Sequence, residues 1–315
     1  MKKIITLYNS NLSIWVVLFA VVAYLYPPSF LFVKPFIKLF FSITMFGIGL
    51  VITTEDYKNV IKAPKQILFG VLCQYSIMPL LAFVTAYVFS LPDAFKVGLI
   101  LTGSAPGAMT SNVISYLSDG DVTYSVSLTA IATMLSPVLT PLITLALAGH
   151  HVPVKFFPMF LTIVYTVVIP LVLGFLVRKK FPTFFPYLTE KVGDIPATIS
   201  VTAIVVITSY VVAANKETIN VITFIIFGAV VFHNFIGMAL GFLAGHVTRF
   251  NFKRKKTLSI EIGMQNAGLG VILALTHFSK EVAVPAAIFT IWCIISASLL
   301  VRFWKFFDRG EVFFE

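Results

Sequence analysis

The sequence predicts an all-α polytopic membrane protein, and three observations carry that prediction. The 315 residues are 58% hydrophobic and only 11% charged, with a mean hydropathy of +0.97. Soluble domains carry about 25% charged residues. Apolar runs recur along the whole length, each near the roughly 20 residues that cross a bilayer as a helix. An outer-membrane barrel would instead show short alternating segments. The third observation is the distribution of Lys and Arg once the spans are placed.

Ten spans are placed at roughly 11–27, 35–53, 67–90, 97–118, 122–147, 157–177, 195–213, 220–247, 258–279 and 283–303. An even number puts both termini on one side. That side collects Lys2, Lys3, Lys58, Lys62, Lys65, Arg178, Lys179, Lys180, Lys191, Arg249, Lys253, Arg254, Lys255, Lys256, Arg302, Lys305 and Arg309. The other side has Lys34, Lys38, Lys96, Lys155, Lys216 and Lys280, so 17 of the 23 basic residues share one face. Basic residues stay cytoplasmic, which places both termini inside.

The net charge of +10 follows from that rule. The basic residues are dispersed over several connections, so no nucleic-acid surface is expected. The densest run, Lys253–Lys256 (K-R-K-K), reads as a retention charge in contact with lipid headgroups. The N-terminal M-K-K and apolar run imitate a secretory signal. No A-x-A-like cleavage site follows, so the run reads as the first span. Cys73 and Cys293 lie inside spans and suggest neither a disulfide framework nor a zinc site. No soluble domain or low-complexity segment is evident, and the longest connection, Arg178–Asp194, is moderately polar.

Two spans are interrupted. The fourth contains G-S-A-P-G-A-M-T-S-N from Gly103 to Asn112. Pro106 cannot donate a backbone hydrogen bond and disfavours helix before it; Gly107 adds freedom. The ninth holds I-E-I-G-M-Q-N-A-G-L-G from Ile260 to Gly270, with Gly263, Gly268 and Gly270. Glu261 is the one acidic residue of 13 that falls inside an apolar span. A carboxylate at that depth is expensive and marks a functional site. Gly107 and Gly263 are 156 positions apart, close to half of 315. Paired interruptions in two halves point to a transporter site. Five spans per half would invert the second half relative to the first. This inverted repeat rests on topology and motif placement, because the halves share no evident sequence identity.

Polar groups flank each break: Thr110, Ser111 and Asn112 in one, Glu261, Gln265 and Asn266 in the other. Freed carbonyls of an unwound helix survive only beside protein or a water-filled cavity. Carbonyls, carboxylates and hydroxyls suit hard cations. A helix N-terminus facing the same cavity would favour an anion. Ser125, Thr129 and Thr133 share one face of the fifth span, although Ser and Thr also bond back to their own helix. Gln74 in the third span is a further amide whose bland reading is a helix–helix hydrogen bond. Pro79, Pro137, Pro141 and Pro170 read as kinks and packing features. His233 reads as a helix-packing residue, and His150 and His151 lie in an outer connection. H-E-x-x-H, G-x-S-x-G and Walker motifs are absent from the sequence, so no enzyme is expected.

These motifs resemble the bile acid:sodium symporter family over essentially the whole chain. The sharpest pieces are I-E-I-G-M-Q-N-A-G at Ile260–Gly268 and T-S-N-V at Thr110–Val113. Q-Y-S-I-M-P at Gln74–Pro79, S-P-V-L-T-P at Ser136–Pro141 and H-N-F-I-G at His233–Gly237 support them. The resemblance implies a panel domain of spans 1, 2, 6 and 7, at about 11–53 and 157–213. It implies a core domain of spans 3–5 and 8–10, at about 67–147 and 220–303, with spans 4 and 9 unwound and crossing. It also implies two sodium sites. The first would use Ser111, Asn112, Ser125, Thr129 and Glu261. The second would use Gln74, Glu261 and Gln265 side chains with the carbonyls of Ile262 and Met264.

The substrate side departs from the family pattern. Bacterial members carry G-G-T-A-S-N before the first break, where this chain has G-A-M-T-S-N, and W-H-N in the last span, where it has W-C-I. Met109, Cys293 and Ile294 therefore replace polar groups, while Asn266 is kept. The substrate surface would comprise Met109, Thr110, Asn266, Ala267, Gly268, Cys293 and Ile294, and the identity of the anion stays open. The expected function is sodium-coupled import of an organic anion, bile-acid-like or a small carboxylic acid, by alternating access across the bacterial inner membrane. Sodium is the coupling ion, with no organic cofactor; the other partners are the lipid bilayer and the anion, and no protein partner is expected. A proton-coupled transporter or antiporter, and a receptor that binds an anion without moving it, are the alternatives.

Overall fold

In the computed structural model the described residues are 12–52, 64–150, 152–184, 195–218 and 221–310, with positions 3, 5, 7, 8, 187 and 190. Lys2, Lys58, Lys62, Lys191 and His151, and the expected span boundaries at 11, 53 and 220, lie outside them. The described elements are helical. They are α1 (Leu12–Leu25), α2 (Pro28–Leu31), a 3-10 turn Lys34–Phe36, α3 (Ile37–Gly49), α4 (Pro64–Val88), α5 (Asp93–Gly103), α6 (Thr110–Leu117) and α7 (Val122–Ala148). Then follow α8 (Phe156–Ile163), a π turn Val164–Val168, α9 (Ile169–Lys180), α10 (Ile195–Ala214), a 3-10 turn Lys216–Thr218, α11 (Val221–Val247), α12 (Phe252–Gly263), α13 (Ala267–His277) and α14 (Ala283–Gly310).

Among the described residues, six stretches are long and apolar enough to cross a membrane: Pro28–Gly49, Pro64–Val88, Val122–Ala148, Phe156–Lys180, Phe224–Val247 and Ala283–Trp304. Ile14–Leu25, Thr198–Ala214 and Ala267–His277 are shorter apolar helices. The second span thus begins earlier than 35, because Pro28 sits comfortably in a first helical turn and the chain continues through the 3-10 turn into α3. Pro170 does distort its helix. It withholds the N–H that would reach the Thr166 carbonyl, and the π turn Val164–Val168 lies just before it. Pro79, Pro137 and Pro141 sit inside continuous helices.

Where the fourth and ninth spans were expected, the chain makes α5–α6 and α12–α13, each pair separated by a short non-helical break. Asn251 caps α12 by accepting from Arg254 N at 2.9 Å, and Asn266 caps α13 by accepting from Leu269 N at 3.2 Å. Such caps satisfy the open N–H groups of a first turn. The second break thus leads into a capped helix, whereas α6 after the first break starts at Met109 without a side-chain cap.

Packing follows the small residues. α3 runs along α9 and α10, and α10 runs along α1. A Cβ on Gly49 would stand 3.0 Å from the Gly174 Cα, so α3 and α9 meet backbone to backbone. α4 packs on α5, α7 and α11, while α12 lies along α11 and α13 along α14. The two groups touch at several places: α8 packs on α7, α13 meets α3, and Val16, Val201 and Val205 meet Ile291 and Ile294.

Candidate functional site

The two breaks pair with each other. Gly107 and Gln265 form an isolated antiparallel bridge. Ala108 N donates to Met264 O and Asn266 N to Pro106 O, each at 2.8 Å. Each break thereby satisfies carbonyls that the other has released from its helix. A Cβ on Gly107 would stand 3.2 Å from Glu261 Oε2, so the first break passes directly over the carboxylate. Only a residue without a side chain allows that approach unstrained.

Glu261, one turn before the end of α12, is 1% exposed. Ser111 and Ser125 donate short hydrogen bonds to its Oε1, and Thr129 donates to Oε2 at 2.7 Å. Ser125 and Thr129 come from one face of α7, and Ser111 from the first turn of α6. Asn112 Oδ1 accepts from Ser125 at 2.8 Å and from Thr129 at 3.3 Å. The structure therefore brings together Ser111, Asn112, Ser125, Thr129 and Glu261. Thr129 Oγ1 also lies 3.0 Å from Ser125 O, so its single hydrogen has the helix carbonyl, the Glu261 carboxylate and Asn112 as competing acceptors. Thr133 continues the face, buried, with no hydrogen-bond partner for its Oγ1.

Gln74 and Gln265 meet beside this cluster, with Gln74 Nε2 donating to Gln265 Oε1 at 2.9 Å. Gln74 Nε2 also lies 3.4 Å from Ala105 O in the first break. Gln265 Nε2 donates to Ile262 O at 2.8 Å. Ile262, Met264, Gln265 and Gln74 are thus gathered around the second break. The carbonyls of Ile262 and Met264 accept hydrogen bonds from Gln265 and Ala108 in this arrangement.

The substrate candidates divide. Met109 and Thr110 stand at the start of α6, and Asn266, Ala267 and Gly268 at the start of α13. Gly268 faces α3: a Cβ there would lie 3.0 Å from the ring of Phe41. Cys293 is buried, its Sγ 3.5 Å from Thr290 O. Ile294 packs with Val16 and Val205 at the contact between the two helix groups. No hydrogen bond among the described residues links Cys293 or Ile294 to Asn266 or Met109.

Sequence reasoning missed Asn234. Its Nδ2 donates to Gly263 O at 2.8 Å, and its Oδ1 accepts from Trp292 Nε1 at 3.1 Å. It satisfies a carbonyl that the second break exposes. The signal in the sequence is an amide in an apolar span, next to His233. His233 does make the helix-packing contact, with Nε2 3.0 Å from Met78 O. Thr140 plays a matching part in the first break, donating to Ser104 O at 2.8 Å. The K-R-K-K reading also needs correction: Arg254 is tied to Asp121 at 2.6 Å, and Lys256 is buried with its Nζ 5.1 Å from the Phe252 ring centroid. Neither is a free headgroup contact, because α12 starts against α7 and α11.

A buried carboxylate needs compensation. The partners of Glu261 given above are hydroxyls, and the salt bridges Lys96–Asp93 and Arg254–Asp121 lie elsewhere. Carboxylate, hydroxyl, amide and backbone oxygens form the donor set of a hard cation. Among the described residues no three His, Cys, Asp or Glu gather as a transition-metal site would require.

Membrane-length helices around a buried, oxygen-lined crossing of two broken helices define a transporter of the secondary active class. Residues 38–223 match the Sodium Bile acid symporter family, and the chain belongs to that family. It is 38% identical over 304 residues to an uncharacterized sodium-dependent transporter, YocS, of Bacillus subtilis (strain 168), covering 96% of this chain and 94% of the relative. It is 33% identical to a probable chloroplastic sodium/metabolite cotransporter, BASS1, of Oryza sativa subsp. japonica, over 95% of this chain and 74% of the relative. The Arabidopsis thaliana protein of the same name is 31% identical, over 94% and 74%. The chain is accordingly a multi-pass membrane transporter of a sodium-dependent family and not an enzyme.

Proposed function

We propose that this protein imports an organic anion by coupling it to sodium, using alternating access. The observation that carries the reading is Glu261, buried and held by Ser111, Ser125 and Thr129 beneath the crossing of two broken helices. A sodium ion bound among these oxygens and Asn112 would neutralise the carboxylate. A second ion would use Gln74, Glu261, Gln265 and the carbonyls of Ile262 and Met264. The helix starts at Met109–Thr110 and Asn266–Gly268 would receive the anion, since first-turn N–H groups favour negative charge. Cys293 and Ile294 would line the same surface when the two helix groups separate.

The helices make ten crossings in two inverted sets of five, with both termini in the cytoplasm of a bacterial cell. α1, α3, α8, α9 and α10 form the panel; α4–α7 and α11–α14 form the core. The packing of α3 with α9 and α10, apart from the α4–α5–α7–α11 group, supports this division. Relatives named sodium/metabolite cotransporters support a metabolite-sized acid as cargo. Two sodium ions per monoanion would carry one net charge inward, worth about 2.3 kcal/mol per 100 mV.

The test is uptake by proteoliposomes of acids first selected by thermal stabilisation in sodium chloride but not in choline chloride. Uptake should require an inward sodium gradient and vanish in Glu261→Ala that still folds. Equal uptake in sodium-free buffer overturns sodium coupling, and uptake driven by a pH gradient alone selects proton coupling instead.

A further inference from the structure

α7, which brings two hydroxyls to Glu261, α12, which carries Glu261, and α4, which carries Gln74, are fastened one or two turns away by a single polar clamp. Asp121 caps α7, its Oδ1 accepting from Tyr124 N at 3.0 Å. Its Oδ2 accepts from Arg254 Nε at 2.9 Å and Nη2 at 2.6 Å, joining α7 to the first turn of α12. The third guanidinium nitrogen, Nη1, donates a short bond to Gln66 Oε1 in the first turn of α4. Tyr124 Oη donates to Gln66 O at 3.1 Å, and the guanidinium lies 5.2 Å from the Tyr124 ring centroid. The Asp121 N–H donates to Thr257 Oγ1 at 2.7 Å. Gly120, which follows α6, is pressed so close that a Cβ would stand 2.5 Å from Thr257 Oγ1 and 3.0 Å from Ser115 O.

The spacing gives the clamp its meaning. Asp121, Ser125 and Thr129 are four apart on α7; Thr257 and Glu261 are four apart on α12. Four residues of helix rise about 6 Å. The Asp121–Thr257 contact is therefore repeated one turn deeper as Ser125–Glu261. Gln66 lies eight residues before Gln74 on α4, about two turns. A slip of α7 against α12 at the clamp would carry the hydroxyls away from the carboxylate.

We propose that Asp121, Arg254 and Thr257 are positioning residues that set the register of α7 on α12 and thereby the sodium affinity of the Glu261 site. This rests on the reading of Glu261 as a cation site. Partners that orient a metal's ligands typically alter its affinity about 10- to 100-fold when lost.

Two opposed charge changes separate positioning from simple electrostatics. Asp121→Asn keeps a capping side chain but leaves Arg254 uncompensated, so loss of register and net charge both weaken sodium binding. Arg254→Gln leaves Asp121 negative, so charge alone would tighten sodium binding while loss of register would weaken it. The measurement is the thermal unfolding temperature of purified protein against sodium chloride, with choline chloride holding ionic strength constant. The sodium concentration giving half the stabilisation should rise about 10-fold in both variants. Arg254→Lys, which keeps charge but cannot span Asp121 and Gln66 together, should fall between and guards against a variant that does not fold. An unchanged or lowered midpoint in Arg254→Gln overturns the proposal. If the wild-type protein gains no stability from sodium, or Glu261→Gln retains the gain, the cation site itself is refuted and the positioning role with it.

Discussion

Glu261 accepts hydrogen bonds from three hydroxyls on two other helices, and that arrangement makes a specific demand of each. A hydrogen bond to a charged group contributes about 1.5–3 kcal/mol. Ser125→Ala and Thr129→Val each remove one while leaving the helix intact. The hydroxyls are proposed ligands of the ion, so the loss of each should raise the sodium concentration for half-maximal stabilisation, by about 10-fold for every 1.4 kcal/mol of ion contact removed. Equal midpoints in wild type and both variants would exclude these hydroxyls from the site. Glu261 was legible in the sequence because an acid in an apolar span has few bland explanations. Ser125 and Thr129 were legible only as a shared face, because hydroxyls four apart also bond to their own helix, as Thr129 does. Asn234 was not legible as a carbonyl's partner. Its role depends on where the second break falls in space relative to α11, which no local pattern encodes.

At the scale of elements, the breaks persist because their freed carbonyls find donors. Gly263 O takes Asn234, Ser104 O takes Thr140, and Pro106 O and Met264 O take backbone N–H groups of the opposite break. Asn234→Leu would leave Gly263 O unpaired at a cost of about 1–3 kcal/mol. The melting temperature in choline chloride should fall, and the sodium-dependent gain should shrink, because the break beside Glu261 loosens. A variant as stable as wild type would remove Asn234 from that role. Gly174 offers a contrasting case. A Cβ there would stand 3.0 Å from Gly49 Cα, far from Glu261 in sequence and packed within the α3–α9 contact. Gly174→Val should lower the melting temperature while leaving the sodium midpoint where it was. The positions of both breaks were evident from Pro106, Gly107 and Gly263. Their mutual pairing was not evident from these residues, because antiparallel contact between segments 156 residues apart is a property of the packed helices.

For the whole molecule, the distribution of charge makes the strongest prediction. The proposed cytoplasmic placement of both termini would turn Lys96 in the first turn of α5 and Lys155 before α8 outward, and Arg178 to Lys180 at the end of α9 inward. The basic last turn of α9 also suits the negative end of its helix dipole, so helix electrostatics and retention by the positive-inside rule favour the same placement. The native thiols, Cys73 and Cys293, are both buried, which leaves a quiet background for labelling. In intact cells, a membrane-impermeant maleimide should label Lys155→Cys and should reach Lys179→Cys only after permeabilisation. Lys155 precedes α8 and Lys179 stands in the last turn of α9, at the two ends of the Phe156–Lys180 stretch, so neither substitution should perturb folding. The reverse pattern would place both termini outside, contrary to the positive-inside distribution, while the direction of coupled transport would still follow the gradients. Labelling of both positions from one side would mean an odd number of crossings between 155 and 179 is wrong, and with it the inverted relation of the two halves. The same preparation can report movement of the two helix groups. Ile294→Cys, placed at their contact with Val16 and Val205, should change its labelling rate when sodium replaces choline if the groups separate during transport. A rate indifferent to sodium and to any stabilising acid would confine the sodium effect to Glu261 and its neighbours, and alternating access by separation of those groups would fail.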